Sequence, residues 1–123
     1  MGKKKSAQTN ESEKYLQLTK EAQAKFGNKT IIFYQVGSFF EVYGLQDPIT
    51  KEVTGSHIME FSRICDMKVT PKYNMKTIDG KIVLMAGEPL HGNPERKIKR
   101  LVEKGYTVPV YQQDPTVPSI RSL

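Results

Sequence analysis

Hydrophobic residues first recur with the helical period near the start of the chain. Between Ser12 and Phe26 the apolar side chains fall on one helical face, and Gly27 follows as a typical stop signal. Ser12 has the small polar side chain that helix N-caps favour. The pattern therefore predicts an amphipathic helix that begins at Ser12 and ends near Gly27.

Two extended segments are predicted next, on either side of a glycine. Residues 30–36 are apolar at both odd and even positions, which is typical of a strand buried on both faces. Gly37 predicts a tight bend, and residues 39–43 form a second run of aromatic and β-branched residues. Gly44 and the turn-like pair Asp47-Pro48 predict the end of that second strand. We expect the first strand to lie in the interior of a sheet.

The rest of the chain is predicted to contain two helices and three strands. In order, these are a helix at 56–65, strands at 69–73 and 81–85, a helix at 93–105 and a strand at 106–111. Asp79-Gly80 is a turn signal that allows the first two strands to pair as a hairpin. Asn93 and Pro94 are typical of a helix start, and Gly105 is typical of a helix end.

Helices and strands alternate only in part, which predicts an α/β fold with a mixed β-sheet flanked by about three helices. The 123 residues suffice for one domain with a single core. Residues 1–11 are polar and contain a lysine run, so we expect a flexible basic leader. The domain proper is predicted at 12–113. Residues 114–123 contain two prolines and no periodicity, and are expected to link to domains outside this chain.

Composition favours a polyanionic partner and an intracellular, soluble protein. The chain has 19 Lys and Arg against 13 Asp and Glu, a net charge of +6. Cys65 is the single cysteine, so no internal disulfide can form and a reducing compartment is expected. No apolar run approaches the length of about 20 residues that a membrane helix needs, so no membrane partner is expected.

No catalytic motif stands out in the sequence. A glycine-rich phosphate-binding loop ending in Lys and Ser or Thr does not occur, so the chain by itself is not expected to be an enzyme. His57, Cys65 and His91 can in principle form a nucleophile–base pair or part of a metal site. A core role for Cys65 and a loop role for His91 fit their positions better. No cofactor is expected in this chain.

The segment around Phe39 and Glu41 is the strongest candidate site. Alternation along a strand places Phe39 and Glu41 on one side and Phe40 with Val42 on the other. With Phe40 in the core, an aromatic ring and a carboxyl group project together beside the Gly37 bend. A ring of this kind can enter between base steps of DNA, and a carboxyl can hydrogen-bond a displaced base. The alternative is an edge strand in which Glu41 is merely exposed to solvent and both phenylalanines, Phe39 and Phe40, lie in the core.

Motifs around this segment resemble those of the MutS family of DNA mismatch repair proteins. The segment FYQVGSFFEVY, at 33–43, is similar to FYRMGDFYELF in bacterial MutS proteins, with the Phe-x-Glu pair in register. MAGEPLH at 85–91 resembles MAGxPxH, and LVEKGY at 101–106 resembles LVxxGY. Tyr15-Leu16 and the segment 113–115 also match family positions. The resemblance spans residues 12 to 115 in order, in the N-terminal mismatch-recognition domain.

The resemblance implies a module that binds double-stranded DNA at a mismatch or small loop. It implies that Phe39 inserts at a mispair from the minor groove while Glu41 hydrogen-bonds the base. Further DNA contacts are implied at positions that match the family's wedge surroundings and phosphate contacts: Val36, Ser38, Lys72, Leu84 and Met85.

The chain also departs from the family pattern. Ser38 stands in place of Asp and Phe40 in place of Tyr, and two loops are longer, which suggests a divergent viral or organellar branch. The resemblance implies a homodimeric parent protein with a separate ATPase domain that binds ATP and Mg²⁺. The competing interpretation is a protein-interaction or structural module that keeps the fold without reading lesions.

Overall fold

The computed structural model describes residues 3–112 and 117–123, with side chains from Glu11 onward. The helices are α1 (Lys3–Phe26), α2 (Ile58–Cys65) and α3 (Pro94–Glu103), and a 3-10 turn covers Leu90–Gly92. The strands are β1 (Phe33–Val36), β2 (Phe39–Gln46), β3 (Val53–Thr54), β4 (Thr70–Pro71), β5 (Ile82–Pro89), β6 (Val108–Tyr111) and β7 (Ser119–Arg121). Within these residues, no helix is long and apolar enough to cross a membrane.

All seven strands belong to one mixed sheet. Their order is β4-β5-β2-β1-β6-β7, and β3 pairs with β2 beside this path. Strands β1 and β6 pair in parallel, whereas the other neighbours pair antiparallel. The predicted α/β fold with a mixed sheet and about three helices is therefore confirmed. The interior position predicted for the first strand is also confirmed.

A two-residue turn joins β1 to β2. Val36 pairs with Phe39 across it, and Gly37 has a φ of +60°, in the left-handed region that suits glycine. The tight bend predicted at Gly37 is therefore present.

Strand β2 continues beyond its predicted end. Gly44 pairs with Leu84 of β5 inside the sheet, and the strand runs on to Gln46. A Cβ atom at Gly44 would lie only 2.6 Å from Cγ2 of Ile58. Glycine therefore allows α2 to approach the strand closely, so the interpretation of Gly44 as a strand end was wrong.

The two faces of the sheet are covered by different helices. On one face, α2 and α3 pack buried apolar side chains against the sheet; among these are Phe33, Phe40, Phe61, Ile98 and Leu101. On the other face, the buried ring of Tyr15 on α1 packs edge-on against Tyr34 and Tyr43. The Tyr15 hydroxyl also donates a 2.7 Å hydrogen bond to the Ile32 carbonyl.

Both ends of the chain contain more regular structure than the pattern predicted. Helix α1 begins at Lys3, and Ser12 is buried within the helix instead of capping it. No glycine or proline separates Lys3 from Ser12, so nothing in that segment stops the helix. Within the predicted 114–123 linker, Ser119–Arg121 forms β7 by pairing with β6. Residues 113–116 lie outside the described part of the chain.

The other predicted elements are present with shifted ends. Helix α2, the antiparallel pairing of β4 with β5, and β6 all occur where they were expected. The Asn93 side chain accepts a hydrogen bond from the Arg96 amide and caps α3, as predicted.

Candidate functional site

Side chains alternate along β2 as the sequence predicted. Phe40 and Val42 point into the core, with 4% and 1% of their surface exposed. Phe39, on the opposite side, keeps 43% of its surface exposed. Glu41 lies on the same side as Phe39 and is half-buried. The ring and the carboxyl group therefore project from one face of one strand.

The backbone of Phe39 is held from both sides. It pairs with Val36 of β1 and with Pro89 of β5. The amide of Leu90 also donates a 2.9 Å hydrogen bond to the Ser38 carbonyl in the turn. The backbone that carries the exposed ring is therefore paired on both sides, and strand alternation sets the face from which the ring projects.

Gly87 leaves a bare strip of backbone between the two side chains. It pairs with Glu41 across β2 and β5. A Cβ atom at this position would lie 3.5 Å from Cδ2 of Phe39 and 4.0 Å from Cγ of Glu41. The Phe39 ring and the Glu41 side chain therefore flank the same point on the sheet.

The carboxyl group of Glu41 is oriented by a tyrosine. The Tyr43 hydroxyl donates a short hydrogen bond to Oε1 of Glu41. Burial, together with the nearby Glu11, raises the pKa of Glu41 against the opposing effects of the Tyr43 hydrogen bond and of Lys72. The neutral acid is therefore more accessible at Glu41 than at a solvated glutamate.

Tyr43 is itself fixed by the rest of the fold. Its ring packs edge-on against Tyr15 of α1, with 5.4 Å between the ring centroids. The Ser56 hydroxyl donates a hydrogen bond to the Tyr43 carbonyl. Burial raises the pKa of the Tyr43 hydroxyl, so that it stays protonated and acts as a donor.

A cleft of about 210 Å³ opens beside Glu41. It contains four residues predicted as DNA contacts: Val36, Glu41, Lys72 and Met85. It also contains four that the prediction missed: Glu11, Tyr43, Asn74 and Met75. Tyr43 could have been found by the alternation that selected Glu41, because it lies two residues further along β2. The other three come from α1 and from the loop after β4, and no local pattern indicates them.

The remaining predicted contacts lie elsewhere. Ser38 is exposed in the turn before Phe39. Leu84 is 4% exposed, and strand alternation places it on the α2 face, opposite the neighbouring Met85. The structure therefore does not bring Leu84 into the group around Glu41.

His57 and Cys65, two of the alternative catalytic residues, lie at opposite ends of α2. His57 precedes α2 and Cys65 ends it, about 12 Å apart along the helix axis at 1.5 Å per residue. A ring nitrogen of His57 lies 2.8 Å from the Asn28 carbonyl oxygen. Cys65 is buried, and burial raises the pKa of its thiol to about 11. In the part of the chain that is described, no three His, Cys, Asp or Glu side chains form a metal site.

Glu88 is a buried carboxylate that the sequence did not reveal. It lies on the α2 and α3 face, opposite Phe40, with 5% of its surface exposed. Its partner is Lys97 of α3, with 3.8 Å between Oε1 and Nζ. The pair accounts for Glu88 as a structural ion pair, separate from the cleft.

No protein-family model and no curated protein matches this chain.

Proposed function

We propose that this chain recognises double-stranded DNA at a mispair or small loop. Phe39 is the wedge that enters between base steps from the minor groove, and Glu41 hydrogen-bonds the affected base. The observation that carries the proposal is the pairing of a 43% exposed phenylalanine ring with a half-buried carboxyl group on one rigid strand face. The MutS-like motifs around the two residues support the same role.

The energetics of unstacking explain how such a wedge selects defects. Inserting an apolar side chain between base steps costs a few kcal/mol in paired DNA. The cost is lower where a base is mispaired or unpaired, because less pairing and stacking is lost. A rigidly held ring therefore enters defects more readily than intact duplex.

The carboxyl group adds chemical discrimination. As a carboxylate it repels backbone phosphates and accepts a hydrogen bond from a base amino or imino group. As the neutral acid it can donate to a ring nitrogen or a carbonyl of a base. Burial raises the pKa of Glu41, and nearby phosphates would raise it further, which favours the neutral acid more than at a solvated glutamate. The net charge of +6 supports attraction of the whole domain to the DNA backbone.

A pair of phenylalanine variants tests the wedge. The chain is titrated onto a fully paired duplex, a duplex with one mispair and a duplex with one unpaired nucleotide. We expect tighter binding to the two defective duplexes, and Phe39→Ala should reduce that preference by about tenfold.

Phe26→Ala is the matched control for this experiment. Phe26 is 37% exposed, close to the value for Phe39. It ends α1, about 22 Å along the helix axis from Glu11 at 1.5 Å per residue. Its loss should leave the preference unchanged. Equal binding of wild type to all three duplexes would contradict the proposal.

The competing function is a protein-interaction or structural module. In that case any binding to DNA would depend neither on the defect nor on the salt concentration. Binding through phosphate contacts differs, because its affinity falls as the salt concentration rises. Binding of ATP and Mg²⁺ and a homodimeric parent protein stay predictions.

A further inference from the structure

The cleft beside Glu41 has three walls from distant parts of the chain. Its floor is formed by Val36, Glu41, Tyr43 and Met85 on β1, β2 and β5. Glu11 of α1 forms one side. Lys72, Asn74 and Met75 of the loop after β4 form the other side. The backbone amide of Lys72 donates a 2.8 Å hydrogen bond to the Val83 carbonyl, which ties the start of that loop to β5.

The cleft lies next to the Phe39 ring on the same face of the sheet. Val36, at its edge, pairs with Phe39 across the turn. Glu41, in its floor, flanks the same bare backbone of Gly87 as the Phe39 ring. The Phe39 ring and the cleft therefore lie side by side on the same face of the sheet.

The size and lining of the cleft suit a single nucleobase. At about 210 Å³, the cleft is smaller than the roughly 300–1,000 Å³ pockets that hold drug-sized ligands, which suits a small ring. Val36, Met75 and Met85 offer apolar and polarisable contacts for the face of a flat ring. Glu11, Glu41 and Asn74 offer hydrogen-bonding groups for its edge.

Other small ligands fit the cleft less well. Two carboxyl groups, from Glu11 and Glu41, disfavour a phosphate by repulsion. The ammonium group of Lys72 in the same cleft disfavours a divalent cation. A neutral ring with hydrogen-bond donors on its edge avoids both conflicts.

We propose that this cleft receives one nucleobase displaced from the duplex, preferentially a base with an exocyclic amino group. The proposal rests on the proposed function, because Phe39 supplies the displacement. The Tyr43 hydroxyl donates to Oε1 of Glu41, and Oε2 is the other oxygen of the same carboxyl group. Oε2 of Glu41 and the Glu11 carboxylate then accept from the amino group, while Met75 and Met85 pack against the ring.

An abasic comparison tests the cleft separately from the wedge. Two duplexes are prepared, each with one extra nucleotide in one strand. The extra nucleotide carries cytosine in the first duplex and is an abasic analogue in the second. A wedge alone binds both equally, because both offer the same unpaired step. A base held in the cleft makes the cytosine duplex bind about tenfold more tightly than the abasic one.

Met75→Ala removes one apolar side chain from the lining of the cleft and leaves Phe39 in place. The variant should bind the cytosine and abasic duplexes with equal affinity. It should still bind each of these two duplexes more tightly than fully paired DNA. Met59→Ala is the matched control, since Met59 is an exposed methionine on α2 and lies outside the cleft. It should retain both preferences. Circular dichroism of each variant establishes that it is folded.

Extrusion can also be observed directly with 2-aminopurine as the extra nucleotide. Its fluorescence should rise when the wild-type chain binds, and should rise less with Met75→Ala. If the wild-type chain bound the cytosine and abasic duplexes equally and the fluorescence did not change, the proposal that the cleft receives a base would be wrong. The proposal that Phe39 acts as a wedge would still stand. Equal affinity for defective and fully paired DNA would overturn both.

Discussion

The two faces of the sheet are covered in different ways. On the α2 and α3 face, Phe33, Phe40 and Phe61 pack ring against ring in a closed apolar core. On the α1 face, Tyr15 and Tyr43 combine buried rings with hydrogen-bonding hydroxyls, and the cover ends at the cleft. The same strands supply both faces, because successive side chains of β2 point in opposite directions. We infer that one face mainly stabilises the fold, while the other mainly presents the candidate site.

The largest expected effect is at Phe61. Phe61→Ala should lower the free energy of unfolding by about 3–5 kcal/mol, because it leaves a cavity among Phe33, Phe40 and α2. Urea unfolding of this variant can be compared with that of Met59→Ala, which truncates an exposed side chain on the same helix. A loss no larger than that of Met59→Ala would contradict the role assigned to this face.

Two glycines provide a matched pair across the sheet. Gly44→Ala places its Cβ 2.6 Å from Cγ2 of the stiff, buried Ile58 and should cost about 1–3 kcal/mol. Gly87→Ala places its Cβ in ordinary contact with Phe39, at 3.5 Å, and should cost much less. It should instead alter DNA binding, because it fills the strip beside the wedge. Similar unfolding free energies for the two variants would weaken the comparison.

Removing the Tyr43 hydroxyl is expected to have a smaller effect on stability than the glycine substitutions. Tyr43→Phe keeps the ring that packs on Tyr15 and removes the hydrogen bond to Glu41, at a cost of about 1 kcal/mol. Because that hydrogen bond lowers the pKa of Glu41, the pKa should rise further in the variant. An NMR titration of the Glu41 carboxyl carbon measures the change. Tyr106→Phe, at a hydroxyl outside the cleft, is the control, and an unchanged or lowered pKa in Tyr43→Phe would refute this account.

The smallest expected effect is a change in how stability depends on pH. Burial raises the pKa of Glu41, so the folded chain binds this proton more tightly than the unfolded chain. The contribution of Glu41 to stability is therefore fully present below the unfolded-state pKa and falls as the pH rises through the folded-state pKa.

Glu41→Gln removes this titration and keeps an oxygen that accepts from Tyr43. Its stability relative to wild type should therefore increase as the pH rises through that interval, measured by urea unfolding at a series of pH values. Glu52→Gln, at an exposed carboxyl outside the cleft, is the control. If the difference in unfolding free energy between Glu41→Gln and wild type stayed constant with pH, burial would not perturb the pKa of Glu41.

The sequence by itself determined the features that depend on neighbouring residues. The period of the apolar residues predicted α2, α3 and the buried run before Gly37, since each reflects one face of one element. The glycine at 37 predicted the turn, because its left-handed backbone conformation is a local property. Alternation alone placed Phe39 with Glu41 and moved Phe40 into the core, as the structure confirms.

Tertiary structure alone decided what distant segments share. In the sequence, Gly44 has the character of a strand end, but in the structure α2 packs against it within the strand. Leu84 and Met85 are both apolar in the sequence, but only the structure shows that Leu84 is the one buried in the core. The group of Glu11, Tyr43, Lys72 and Met75 around Glu41 exists only once α1 and the loop after β4 fold over the sheet. Contacts across such separations depend on packing of the whole domain, which no local pattern records.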